Sequence, residues 1–140
     1  MSQHSTRLPR RPASQQAAGE SRERGSSTVE TAVLITLVVG LFLTVMQGSL
    51  WWWSRNVTLG AAEEAARTAA QEHGSAAEGR AAANSYINQS KAGLTGVTIN
   101  VSKSGTTVTA TVSGIAMTVV PGFNLEVRQS STLPVEKVTR

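Results

Sequence analysis

Residues 32–53 read AVLITLVVGLFLTVMQGSLWWW, and this uncharged stretch of 22 residues decides the fold. A helix rises about 1.5 Å per residue, so the stretch would extend roughly 33 Å and cross the hydrocarbon core of a bilayer. A buried helix of a soluble protein is the alternative. The rest of the 140-residue chain holds too little apolar material to cover a helix that is apolar on all sides. The sequence therefore predicts one transmembrane helix in contact with membrane lipid.

Three tryptophans end this stretch, and an arginine follows almost at once. Indole rings are favoured in the headgroup layer, where one part of the ring meets lipid and the other meets water. A tryptophan cluster can also stack on a ligand, but its position at the end of an apolar span favours the membrane interface. The predicted interface anchors are Trp51, Trp52, Trp53 and Arg55.

Positive charge flanks the other end of the span. Residues 1–30 carry five Arg and three Glu, and the remaining charges are scattered along the chain. The net charge of +4 raises the alternative of a nucleic-acid-binding arm. Arginine beside an apolar span is the usual mark of the cytoplasmic side of a membrane. We therefore expect a cytoplasmic N-terminus, an extracytoplasmic C-terminal part, and no nucleic-acid partner.

The chain divides into four predicted regions. Apart from Met1, residues 1–25 hold one large apolar residue, Leu8, and are predicted to form a disordered basic leader. Residues 26–54 form the transmembrane helix, and residues 55–92 an alanine-rich extracytoplasmic helical region with a break near Gly74. Residues 93–140 are predicted to form an antiparallel β region.

The β region shows alternation of β-branched and polar residues. Residues 97–101 and 108–112 alternate on either side of a turn that contains Gly105, which is typical of a hairpin. Residues 125–133 alternate again and predict a third strand. The fold class is therefore α+β and pilin-like. A long N-terminal transmembrane helix extends outward and packs on a small antiparallel sheet of three to four strands.

The composition excludes several kinds of active site. The chain has no cysteine, so disulfides, thiolate metal sites and cysteine nucleophiles are excluded. Its two histidines, His4 and His73, lie far apart in sequence. We find no nucleophile–base set, no metal-ligand spacing and no phosphate-binding glycine loop. The sequence thus predicts a protein that is not an enzyme and has no catalytic residues, metal, cofactor or small-molecule substrate.

One carboxylate, Glu30, stands at the start of the apolar span. An acidic side chain there is costly to embed and is a functional candidate for that reason. Glu30 can also be explained by the headgroup boundary, or by the positive N-terminal end of the helix dipole. The context distinguishes these readings, because a cationic leader ends at Gly25, Ser26 follows, and Glu30 stands four residues beyond Ser26.

This arrangement resembles the class III signal of type IV prepilins. In that signal a prepilin peptidase cleaves after Gly, and the fifth mature residue is Glu. The resemblance implies cleavage between Gly25 and Ser26, and a role for Glu30 in processing or assembly. A conventional secretory signal fits less well, since Trp51–Trp53 and Arg55 stand where its small-residue cleavage site is expected.

The run from Arg24 to Arg67 also resembles the TadE-like family of pilin-like proteins, which belong to tight-adherence pilus systems. The matching residues are Gly25, Ser26, Ser27, Val29, Glu30, Arg55, Asn56, Ala61, Ala62, Glu64, Ala66 and Arg67. The sequence departs from the family pattern at Thr31, Glu63 and Ala65. Glu64 and Arg67, three residues apart on a helix, suggest a surface ion pair, with partner docking as the alternative.

The resemblance implies a pseudopilin or minor pilin-like subunit of a tight-adherence type IV pilus assembly system. The implied partners are a prepilin peptidase and other pilin-like subunits. The alternative is an uncleaved, single-pass membrane-anchored envelope protein whose exported domain binds a partner. Gly25 and Glu30 would then have no special role.

Overall fold

The computed structural model describes the backbone of residues 13–136 and the side chains of residues 27–136. Residues 1–12 of the predicted leader and residues 137–140 of the predicted β region lie outside this range. Five elements follow one another: α1 (Ala13–Ala70), α2 (Ala76–Ser90), β1 (Thr95–Lys103), β2 (Thr107–Ile115) and β3 (Glu126–Pro134). The predicted α+β fold class is confirmed.

Helix α1 begins earlier than the sequence predicts. The leader was expected to be disordered as far as Gly25, yet α1 starts at Ala13 and includes the segment 13–25. This segment is rich in Ala, Gln, Glu and Arg, which all have good helix propensity. It follows Pro12, and proline is a residue type favoured at the start of a helix. Adding residues to an existing helix also avoids the unfavourable free energy of forming the first turn of a separate helix.

The chain divides into two compact units between Leu41 and Phe42. The first unit contains the N-terminal part of α1. The second contains the C-terminal part of α1, together with α2 and the sheet. This division falls inside the apolar span rather than after residue 54, because side chains of the span from Gln47 onward already contact the C-terminal part of the chain.

In the second unit, one side of α1 forms the base of the core. Buried residues recur there at intervals of one, three and four, as one side of a helix requires. They are Ser54, Val57, Thr58, Ala61, Ala62, Ala65, Ala66, Ala69 and Ala70. Because these side chains are small, neighbouring elements can approach closely, and Ala83 and Ile87 of α2 and Val101, Val108 and Val112 of the sheet complete the core cluster.

Helix α2 has well-defined ends. Ser75 is its N-cap, and the Ser75 hydroxyl accepts a hydrogen bond from the Glu78 N–H at 3.2 Å. The Glu78 carboxylate accepts in return from the Ser75 N–H at 2.8 Å, which completes a capping box. At the other end Lys91 adopts a left-handed conformation with φ of 50°. The helix thus begins directly after the interruption predicted near Gly74.

We expect Ser75→Ala to lower the free energy of unfolding by about 1 kcal/mol, because it removes the side chain that caps α2. Chemical denaturation of the full chain in detergent micelles, followed by circular dichroism, would measure the loss. Ser85→Ala in the same helix is the matched control, since among the described residues the Ser85 hydroxyl bonds only to the exposed Gln89 side chain, from which it accepts. Equal stability of the two variants would contradict the capping role.

The sheet has three antiparallel strands in the order β1-β2-β3. Each predicted strand lies within or overlaps an observed one. The apolar run after Ile115 does not add a strand: β2 ends at Ile115, and the chain returns through a loop, residues 116–125, that Pro121 and Gly122 turn.

The two faces of the sheet differ in chemistry. One face carries Val101, Val108 and Val112 into the core. The other presents neighbouring polar side chains across the three strands. These are Thr98, Asn100, Ser102, Thr109, Thr111, Ser113, Arg128, Ser130 and Thr132. Two hydroxyl pairs join β2 to β3 on this face, Thr109 with Thr132 at 3.1 Å and Thr111 with Ser130 at 3.2 Å.

Candidate membrane-anchoring and assembly site

The apolar span of α1 exposes large side chains on all its sides. In both units these side chains keep between 37% and 66% of their accessible surface. They are Val29, Val33, Leu34, Ile35, Leu37, Val38, Val39, Leu41, Phe42, Leu43, Val45 and Met46. A water-soluble protein rarely exposes a continuous apolar surface of this kind. Such a surface is typical of a segment that contacts lipid or another protein.

Polar side chains within the span hydrogen-bond to the helix itself. The hydroxyls of Thr31, Thr36 and Ser49 each donate to the carbonyl four residues earlier, at 2.8, 2.8 and 2.9 Å. Hydroxyls bonded in this way need no water, because their donor hydrogen is already satisfied. The polar residues of the span are thus compatible with an apolar environment.

Length and composition mark one helix of the described residues as a candidate membrane anchor. Its qualifying part runs from Ser27 to Ala70, near the N-terminus, and none of its most apolar window is buried within the protein. A helix at the core of a soluble protein would be covered by other elements. The chain therefore has one N-terminal apolar helix that can serve as a membrane anchor.

Glu30 lies on the exposed surface of α1, one turn before Leu34. Among the residues whose side chains the structure describes, no side chain pairs with its carboxylate. A shallow apolar groove runs along the helix beside it, lined by Val29, Ala32, Val33, Thr36 and Leu37. An acidic side chain at the start of an apolar span is a candidate functional residue.

The predicted cleavage position lies inside α1. The backbone is helical at both Gly25 and Ser26, whereas the sequence had placed the start of the helical span at residue 26. Glycine in a helix interior costs roughly 0.5–1 kcal/mol relative to alanine, so local opening of the helix is less costly at Gly25 than at its neighbours. The side chain of Ser26 lies outside the described range.

Two of the three tryptophans are open to the surroundings. Trp52 and Trp53 keep 58% and 52% of their surface exposed, whereas Trp51 is half-buried. The Arg55 guanidinium lies over the Trp51 ring, with 5.8 Å between the guanidinium carbon and the ring centroid, in a cation–π contact. Amphipathic rings beside a cation suit the headgroup layer of a membrane.

Glu64 and Arg67 form an ion pair on α1, with 3.7 Å between a carboxylate oxygen and a guanidinium nitrogen. The Arg67 side chain is 70% exposed and the Glu64 side chain 41% exposed. A solvent-exposed pair at this spacing stabilises a helix by only about 0.2–0.5 kcal/mol. Its contribution to folding is therefore small.

Gln47 is a residue whose role the sequence reasoning missed. Its side-chain amide reaches the loop between β2 and β3, where Oε1 accepts from the Val119 N–H at 3.0 Å. Nε2 donates to the Met117 carbonyl at 3.5 Å. The available signal was a lone amide inside an apolar span, since a buried polar group is costly unless it is hydrogen-bonded.

Comparison with known proteins finds one likeness, in the segment of residues 25–67. No curated protein matches the chain, and no solved structure matches it. Fold and site together define an α+β protein with one candidate membrane anchor. The family model described as TadE-like protein matches residues 25–67, so the predicted resemblance to this family is confirmed for that segment. The likeness to this family is shown for that segment and not for the whole chain.

The matched segment begins at Gly25 and ends at Arg67. It contains Glu30, the three tryptophans, Arg55 and the Glu64–Arg67 pair, whereas α2 and the sheet lie outside it. The family likeness therefore concerns the anchor and the part of α1 that forms the base of the core.

Proposed function

We propose that the chain is a pseudopilin, or minor pilin-like subunit, of a Tad pilus assembly system. The observation that carries the proposal is the coincidence of the TadE-like segment with a helix whose apolar surface is uncovered on all sides. Such a helix suits two environments in turn, because lipid can cover it in the membrane and other helices can cover it in a fibre.

The proposed topology follows from the charges at the two ends of the span. Arginines of the leader keep the N-terminus in the cytoplasm, and the tryptophans with Arg55 lie at the opposite membrane surface. Helix α2 and the sheet are then extracytoplasmic. The interface roles of Trp51, Trp52, Trp53 and Arg55 are part of this proposal.

Processing by a prepilin peptidase after Gly25 is the next step of the proposal. Cleavage removes the cationic leader and frees the α-amino group of Ser26. The new amine carries positive charge, and Glu30 on a neighbouring copy or another pilin-like subunit neutralises it. An ion pair in a setting of low dielectric constant is strong only at close range, so the pair fixes how the two helices align along their axes.

Intact-mass analysis with N-terminal sequencing tests the processing step on protein recovered from membranes of the native host. We expect a chain that begins at Ser26. Gly25→Leu should leave the leader attached, because a bulky side chain replaces the small residue at the cleaved bond, and Gly48→Leu is the control within the same helix. A wild-type chain that keeps its leader would contradict processing.

One observation favours a second candidate. Helix α1 passes through Gly25 without a break, as in a signal anchor that is never cleaved. The chain would then be a single-pass envelope protein whose exported domain binds a partner. The same mass measurement separates the two candidates, since only this one predicts that wild type and Gly25→Leu have equally long N-termini.

A further inference from the structure

The loop between β2 and β3, residues 116–125, has the composition of a membrane-contacting segment. It contains no charged residue. Three of its apolar side chains are open to the surroundings: Met117 is 51% exposed, Val119 40% and Phe123 58%. Exposed apolar clusters on a small domain need cover by lipid or by another protein.

Gln47 fixes this loop to the membrane-spanning part of α1. Its two hydrogen bonds reach the backbone of Met117 and Val119. Gln47 precedes Trp51 by four residues, which places it about 6 Å along the helix toward the centre of the span. The loop therefore contacts α1 at a level on the membrane side of the tryptophans.

The loop also satisfies polar backbone groups internally, which a segment entering hydrocarbon must do. The Ala116 N–H donates to the Leu125 carbonyl at 2.9 Å. The Thr118 hydroxyl accepts from the Val120 N–H at 3.2 Å and donates to the Val120 carbonyl at 2.7 Å. The side-chain amide of Gln47 also satisfies the carbonyl of Met117 and the N–H of Val119. A loop in water needs none of these bonds, since water can replace them.

We propose that residues 116–125 insert into the outer leaflet beside α1 and give the protein a second membrane contact. Lipid is the occupant of the loop's apolar surface, because the loop is uncharged and contacts α1 at Gln47, the residue that follows Met46, which is apolar and 43% exposed. The inference rests on the proposed membrane span. The loop limits rotation of the exported domain about α1 by holding one edge of it at the membrane surface.

Single-cysteine labelling tests the inference, since the chain has no cysteine of its own. Full-length Val119→Cys and Phe123→Cys, each labelled with the fluorophore NBD, are reconstituted in phosphatidylcholine vesicles that contain doxyl-labelled lipid. We expect the doxyl lipid to quench both labels several-fold more than a label at Ser102→Cys on the polar face of the sheet. A label at Val38→Cys reports on the span itself.

The outcomes separate the loop from the span. Strong quenching at position 38 with none at 119 or 123 overturns the loop insertion and leaves the span in place. Absence of quenching at position 38 removes the span and, with it, the proposed function. Loop quenching that disappears as the protein-to-lipid ratio rises shows that another copy covers the loop, which also overturns the inference.

A second variant guards against local disturbance by the label. Gln47→Leu keeps a side chain of similar size but cannot hydrogen-bond to the loop backbone. It should reduce quenching at position 123 and leave quenching at position 38 unchanged. Unchanged quenching at both positions would show that Gln47 does not hold the loop at the membrane.

Discussion

Glu30→Gln is expected to reduce incorporation of the chain into the pilus assembly about tenfold or more, with membrane insertion unchanged. The substitution keeps the shape of the side chain and removes its charge. A hydrogen bond to a charged group contributes about 1.5–3 kcal/mol, and about 1.4 kcal/mol corresponds to a factor of ten. In the proposed assembly this charge pairs with the freed Ser26 amine of another chain.

The measurement compares the amount of the chain in sheared pili with the amount in the membrane fraction, both by quantitative immunoblot. Glu63→Gln is the matched control, because Glu63 is also exposed on α1 and lies within the TadE-like segment. Equal incorporation of Glu30→Gln and wild type would refute the assembly role of Glu30. A loss that Glu63→Gln reproduces would point instead to the overall charge of the helix.

Gly79→Val should destabilise the exported part by at least about 2 kcal/mol, because no space exists for a side chain there. A Cβ at Gly79 would lie 2.7 Å from the backbone oxygen of Ala65 and 3.1 Å from the Cβ of Ala69. The Ala65 oxygen belongs to the backbone of α1 and cannot move aside without displacing the helix. We therefore expect α2 to shift away from α1 and expose part of the core.

Thermal unfolding of the full chain in detergent, followed by circular dichroism, should show a midpoint several degrees lower for Gly79→Val. Gly105→Val serves as the control, since a Cβ at Gly105 meets nothing within 4 Å. A midpoint equal to that of the control would contradict close packing of α2 on α1. Retained membrane insertion in both variants would show that the damage is confined to the exported part.

The elements with strong local patterns could be predicted from the sequence. The apolar span, the alternation in β1, β2 and β3, and the interruption near Gly74 depend on near neighbours in the chain, and such signals can be read directly. The helical segment 13–25 was missed because its lack of apolar residues was taken as disorder, although its residues have good helix propensity once α1 is present to extend.

The Gln47 contact could not be predicted in the same way. Its partners, Met117 and Val119, lie 70 and 72 residues further along the chain. The pairing depends on how the sheet packs against α1, and no local pattern encodes that arrangement. The candidate site at Glu30, by contrast, needed only a short motif, and the TadE-like match covers that motif.

The alanine side of α1 has a mechanical consequence for the exported part. Alanine has no rotamers, so packing against Ala61, Ala62, Ala65, Ala66 and Ala69 freezes no side-chain torsions of α1. The shape of the backbone determines this contact. Long, flexible side chains, which would allow the packed elements to move relative to one another, are absent from these positions of α1. A pulling force on the sheet would therefore be transmitted to the backbone of α1 with little deformation of the contact between them.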